Sequence, residues 1–306
     1  MLLRWMILPA RFVFLLFSVV TLIFFLQRLI PGTPADAVFG PDAPLVQKQI
    51  WLHENGFDLP LGEQYFSYLK KLLQGDLGKK IVDGRLIAPI LKERLAATFQ
   101  LAGTAFAFSL VFALVSGVLG AARPGSRLDG FLALGSLILV SAPVFITGTL
   151  LLWILSVKWN LVPLTGNAGF VSLILPSLTL GGALAAMSGR MMRAMLLDVM
   201  SENYIRNARA KGVGPGGIYF KHALRNAVLP VLSILGLQLA GLLGGTVITE
   251  QVFTWPGLGS LMIEAVNQRD YNLVSACVVV LATIHVSVAW LVELLQRAVD
   301  PRTVSS

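Results

Sequence analysis

Residues 95–122 read LAATFQLAGTAFAFSLVFALVSGVLGAA, with no Asp, Glu, Lys or Arg among them. About 20 apolar residues, each rising ~1.5 Å in a helix, cross the ~30 Å hydrocarbon core of a bilayer. The stretch is therefore a membrane-spanning helix. Five more segments free of Asp, Glu, Lys and Arg lie along the chain, at 12–27, 130–157, 159–189, 226–249 and 271–292. The first is short, but Arg11 and Arg28 can snorkel and lengthen it at both ends. The fourth opens on Pro163, Thr165, Gly166 and Asn167, a turn, so its helix is expected to start near Phe170. Segment 12–27 also fits a signal peptide, with Arg4 and Arg11 ahead of it and Ala35 and Ala37 behind. Five further spans make a retained first helix the simpler reading. The expected fold is an all-α polytopic membrane protein with six transmembrane helices.

Composition agrees. Charged residues make up 13% and hydrophobic residues 56%, where a soluble domain carries about 25% charged. The mean hydropathy is +0.76. The net charge of +8 raises the question of nucleic acid, and the placement of the charges answers it. Arg123 and Arg127 follow the second span; Arg190, Arg193, Arg206, Arg209, Lys211, Lys221 and Arg225 follow the fourth. The alternate loops hold Lys158 alone, or Arg269 against Glu250, Glu264 and Asp270. Basic residues gather on the cytoplasmic side of membrane proteins. The bias therefore predicts cytoplasmic N and C termini and an extracytoplasmic segment 31–94, and no nucleic-acid partner is expected.

Chemistry is sparse. The single Cys277 excludes an internal disulfide, and no Cys/His cluster has metal-site spacing. His285 is the one ionisable residue within the predicted spans, read as hydrogen-bonded to a neighbouring helix, so the acidic relay of an ion-coupled pump is missing. GDLGKK at 75–80 lacks the spacing of a P-loop. No cofactor, metal or catalytic residue is expected, and a transporter built this way draws its energy from another subunit. A self-contained channel or secondary carrier needs a filter or an intramembrane charge. A scaffold without transport is the remaining rival.

Outside the spans, the pattern in 28–94 suggests one short helix at 62–74. Its Leu69, Leu72 and Leu73 would pack while Lys70 and Lys71 face water. The segment is expected to rest on the membrane or on a partner, being too small to stand alone. TWPGLG at 254–259 reads as a turn before a helix at 259–268. Small residues recur four apart at Gly181, Ala185 and Gly189, and again at Gly236, Ala240 and Gly244. Such faces let helix backbones approach closely, either as static packing or as sliding surfaces.

The loop 190–225 begins RMMRAMLLDVMSENYIRNARAKGVGPGG. A helical stretch at 203–211 follows Asp198 and Glu202 and is expected to end in the run from Gly212 to Gly217. Ala208 and Gly212, four apart, would form a small face flanked by Arg206, Arg209 and Lys211.

Here the residues resemble a known family. YIRNARAKG (204–212) followed by HALRNAVLPV (222–231) is similar to the coupling segment of binding-protein-dependent ABC importer permeases of the dipeptide, oligopeptide and nickel type. RLIPGTPAD, GDLGKKIVDGRLIAPILKERLAATFQLA, RPGSRLDG, LPSLTLGG and QVFTWPGLGSLMIEAVNQRDY match the same pattern in order. The resemblance implies a type I importer permease fold in a bacterial inner membrane. Residues 1–30 would be an N-terminal transmembrane helix, 95–293 a five-helix core and 294–306 a cytoplasmic tail. It implies that Asn203, Tyr204, Ile205, Arg206, Asn207, Ala208, Arg209, Ala210, Lys211 and Gly212 form a coupling helix gripped by an ATPase. The implied partners are two cytoplasmic ATPase subunits, a second homologous permease and an extracytoplasmic solute-binding protein. The implied cargo is di- and oligopeptides, with nickel chelates, opines and glutathione-like peptides as alternatives. The wider importer signature has Glu-Ala-Ala where this chain has Arg206-Asn207-Ala208, and Ile-x-Leu-Pro where it has His222-Ala223-Leu224-Arg225. Gly214-Pro215-Gly216-Gly217 is looser than the polar helical turn expected there. Ser109, Ser141, Gln238 and Thr246 are the candidate path-lining polar groups.

Overall fold

The computed structural model describes residues 2–29, 32–40, 42–163 and 169–299; Thr165, Gly166 and Asn167 of the expected turn lie outside them. Among the described residues the chain is helical, without a named strand. It divides into two compact units, Met1–Thr98 with Pro256–Trp290, and Phe99–Trp255 with Leu291–Ser306.

The first unit holds α1 (Leu2–Leu29), α2 (Pro34–Phe39), α3 (Leu45–Glu54), α4 (Leu61–Leu73), α12 (Leu258–Asn267) and most of α13 (Tyr271–Val299). Two of its short helices went unread in the sequence. Yet α2 has a legible start: Thr33 is followed by Pro34 and, three residues on, by Asp36. Asp36 Oδ2 accepts from Thr33 N at 2.6 Å. The α4 helix lies within a residue of its expected bounds, and Leu69 and Leu72 are half-buried as expected. Leu73 is 88% exposed, and the face also carries Tyr65 and Tyr68, which meet Phe24 of α1 at ring-centroid distances of 5.0 and 5.6 Å. Lys70 and Lys71 are exposed as expected.

The segment after α1 packs on the C-terminal part of its own chain. The buried Asp270 carboxylate accepts from the backbone N–H of Ile81 at 2.9 Å and of Leu273 at 3.0 Å. Asn272 Nδ2 donates to the Lys79 carbonyl. Gln27 joins α1 to α13 by donating to the Tyr271 carbonyl and accepting from Ser275 Oγ. Ile87, Leu91, Leu258, Leu261, Leu273 and Cys277 form the apolar core beneath.

The second unit is built on α8 (Phe170–Ser201), which starts where the sequence places it and runs 32 residues. It packs against α6 (Arg127–Ser141), α7 (Val144–Leu151) and α11 (Leu224–Val252). Helix α5 (Ile87–Ala122) enters this unit from Phe99 onward. The small residues of α8 lie directly on α5. A Cβ on Gly181 would stand 2.5 Å from the Ala105 carbonyl oxygen, and one on Gly189 2.3 Å from Ser116 Oγ. Gly117 of α5 answers them, its missing Cβ lying 2.5 Å from Met192.

The expected single span 130–157 is broken. Helices α6 and α7, the latter continued by a π-helical stretch Leu152–Lys158, meet at 111°. Pro143 causes the break: a residue before proline is pushed out of the helical region, and Ala142 is extended at φ −78°, ψ 130°. Among the described residues four helices are long and apolar enough to cross a membrane, α1, α5, α8 and α13, and the bent pair adds a fifth candidate. The segment 226–249 lies within α11, 29 residues long.

Candidate coupling surface

The stretch expected as a loop at 190–225 is mostly helix. Residues to Ser201 extend α8, and after Glu202 the chain reverses into α9 (Asn203–Ala210). Helix α9 ends because Gly212 takes φ +80°, a left-handed conformation that glycine alone adopts without cost. Gly212 therefore closes the helix from outside and does not share a helical face with Ala208. The Gly/Pro run ends nothing further: Pro215 starts a new turn, α10 (Pro215–Gly217), as proline does at a first helical position. A π-helical stretch Ile218–Ala223 carries that turn straight into α11. The segment expected to be loose is thus helical.

One side chain holds α9 in place. Ile205 is fully buried among Met192, Leu196, Ile218, Ala223 and Ala227. Its neighbours Asn203, Tyr204, Arg206, Asn207, Arg209, Ala210 and Lys211 are exposed, and Ala208 is half-buried. The hydroxyl of Tyr204 accepts from Asn226 Nδ2 of α11 at 2.7 Å. Tyr219 donates to the carbonyl of Ala121, near the end of α5, at 3.1 Å. A hollow of about 290 Å³ opens between Met200, Arg209, Val213, Ile218 and Tyr219. The result is a short basic helix with one apolar foot in the bundle and most of its remaining side chains exposed.

Beside it lies an ion pair that the sequence reading did not connect. Arg193 of α8 grips Asp129 of α6 with two parallel hydrogen bonds, Nε to Oδ1 at 2.6 Å and a terminal nitrogen to Oδ2 at 2.8 Å. Asp129 is buried and also accepts from Gly125 N at 2.9 Å. Glu250, read as a loop charge, is fully buried at the end of α11. Only spatial neighbours reveal either feature.

The path-lining candidates do not form a single group. Ser109 is fully buried and its hydroxyl donates to the Phe106 carbonyl of its own helix. Ser141 is exposed at the α6–α7 bend. Gln238 accepts from Ser188 Oγ at 3.3 Å, joining α11 to α8, and Thr246 is buried. His285 is exposed on α13.

Several helices long and apolar enough to cross a membrane, one of them followed by an exposed basic turn, place the chain among polytopic membrane proteins. Residues 96–305 match the family described as binding-protein-dependent transport system inner membrane component. The chain is 37% identical over 289 residues to the glutathione transport system permease protein GsiC of Escherichia coli O6:H1, with 94% of each chain covered. The GsiC proteins of Escherichia coli K12 and Shigella dysenteriae serotype 1 are each 36% identical, at the same coverage. A crystal structure of an amino acid ABC transporter with histidines shares the fold at a TM-score of 0.55 and 15% identity, covering 69% of this chain and 94% of that one. The chain belongs to the binding-protein-dependent inner-membrane components: it is a permease subunit of an ABC importer.

Proposed function

We propose that this permease imports small peptides, and that α9 with Gly212 is the coupling element through which an ATPase subunit drives it. In this reading six spans cross the inner membrane with both termini in the cytoplasm, α11 being one and the bent α6–α7 pair another. Residues 95–293 form the translocating core, 31–94 an extracytoplasmic segment and 294–306 a cytoplasmic tail. The lysine and arginine bias of the short loops supports the orientation. The observation that carries the coupling assignment is the shape of α9: one buried anchor, Ile205, under an exposed basic helix. Two ATPases closing on ATP would pull such a helix in this chain and in a second, homologous permease. They can shift the bundle only by interacting differently with its two states. The path then opens alternately to a solute-binding protein outside and to the cytoplasm, with Ser109, Ser141, Gln238 and Thr246 as the polar groups offered along it.

Cargo is proposed from chemistry and kinship together. The relatives named above are glutathione permeases, and glutathione is a small peptide. A mildly polar path with few charges suits peptides of varied side chain, with selection left to the binding protein. The test is uptake into vesicles containing the permease pair, the ATPases and the binding protein. Labelled glutathione and a labelled dipeptide are expected to enter only with ATP inside the ATPase compartment. Ala208→Glu is expected to leave insertion intact and abolish uptake, and normal uptake by that variant would overturn the coupling assignment.

A further inference from the structure

We infer that Asp129 and Arg193 form a positioning clamp that makes the α5–α6 turn and the base of α8 move as one body when the coupling helix is pulled; the inference rests on α9 being that helix.

Local needs explain only half of the Asp129 contacts. As the third residue of α6 it completes an ordinary helix start. The Ser126 hydroxyl accepts from Asp129 N at 3.2 Å, and Asp129 Oδ2 takes the Gly125 N–H. Its Oδ1 has no role in that cap, and it receives Arg193 Nε at 2.6 Å. A two-bond guanidinium–carboxylate pair fixes orientation as well as distance. The pair also sits against α5: a Cβ on Gly120 would lie 3.1 Å from Arg193 Cδ and 3.3 Å from Asp129 Oδ1. Three helices thus meet at one buried carboxylate.

The same end of α8 carries the load. Nine residues beyond Arg193 the chain turns at Glu202 into α9, and Ile205 is seated on Met192 and Leu196, which flank Arg193 in sequence. Helices α5 and α8 touch through Gly117, Gly181 and Gly189, and α6 packs along α8; at the first turn of α6 the Asp129–Arg193 pair adds a directional tie to that packing. Without the clamp, α8 could shift while the start of α6 stayed behind. Coupling between sites is carried by rigid elements of this kind.

The test uses the complete importer in vesicles, with spin labels at Arg127→Cys on α6 and Asp198→Cys on α8; Cys277 is fully buried and stays unlabelled. With the clamp intact, the label distance is expected to be the same with and without ATP. In Asp129→Asn or Arg193→Gln it is expected to change with ATP. Solute imported per ATP hydrolysed is expected to fall roughly tenfold, within the span reported for mutations along coupling networks, while assembly and hydrolysis persist. Arg193→Lys, which keeps the charge and loses the fork, should recover part of that ratio. An unchanged ratio, or uptake and hydrolysis falling together at a fixed label distance, overturns the clamp. Normal uptake by Ala208→Glu overturns the coupling assignment instead, and the label distances still decide whether α6 and α8 move together.

Discussion

At the residue scale, Gly212 and Ile205 divide the work of holding α9 and the turn after it. Gly212 needs a left-handed backbone at φ +80°, and an L-residue there costs roughly 1–2 kcal/mol. No atom lies within 4 Å of where its Cβ would stand. Gly212→Ala should therefore strain the turn without a clash, lowering uptake by a smaller factor than Gly212→Arg, which adds bulk at the proposed interface. Equal loss in transport assays of the two variants would mean that backbone strain alone decides. Ile205 is the other half. Emptying a fully buried apolar site typically costs 2–5 kcal/mol for Ile→Ala. Ile205→Ala is expected to speed hydrogen exchange in 203–213 well before the spans open.

A second residue-scale effect concerns acid. The Lys48 ammonium, 2.7 Å from Asp36 Oδ1, and then the Thr33 N–H hold the Asp36 carboxyl down at about 2. An unpaired aspartate titrates near 3.9. The folded value lies below the unfolded one, so the pair's stabilisation is complete above about pH 4 and disappears as pH falls through about 2. Asp270 has the opposite sign, since burial pushes its carboxyl up and acid relieves it. Proteolysis within 32–55 is expected to rise between about pH 4 and pH 2. Lys48→Met should make that segment open at higher pH, and an unshifted profile would assign the acid response elsewhere.

At the element scale, α8 is the helix on which the second unit depends, because its glycines admit α5 at backbone contact. In lipid there is little hydrophobic drive between helices, and close packing supplies the attraction. Gly181→Val or Gly117→Leu must push α5 and α8 apart, and overpacking of this kind costs about 1–3 kcal/mol or more. The purified permease should melt at lower temperature, whereas Gly241→Ala, with open space around it, should not. The break at Pro143 belongs to this scale too. Its signal stood in the sequence as a proline inside an apolar run, and uninterrupted hydropathy masked it. The short α3 was likewise bracketed in the sequence by Pro44 and by Asn55-Gly56, and the aromatic pairs of α4 with α1 were out of reach because they depend on a helix distant in the chain.

At the scale of the whole molecule, the expected topology can be tested directly. Asn55 and Asn207 are both exposed. An impermeant thiol reagent applied to intact spheroplasts should label Asn55→Cys, and should reach Asn207→Cys only after permeabilisation. The reverse pattern would invert the bundle and remove α9 from the reach of a cytoplasmic ATPase. The permease alone should neither hydrolyse ATP nor accumulate solute, since the chain has no phosphate-binding loop.

The apolar run 95–122 by itself determined that this protein lives in a bilayer, because a sequence that long without a charge has no alternative solvent. The YIRNARAKG segment likewise carried the family resemblance that implies a partner there, and its glycine stop and basic residues are local features. Tertiary structure alone decided that Ile205 anchors that segment, that Gly117 and Gly189 serve the α5–α8 contact, and that Asp129 meets Arg193 across 64 residues of chain. Local pattern sets what a segment can be; which distant side chain it meets depends on packing the whole chain, and no window of sequence contains that information.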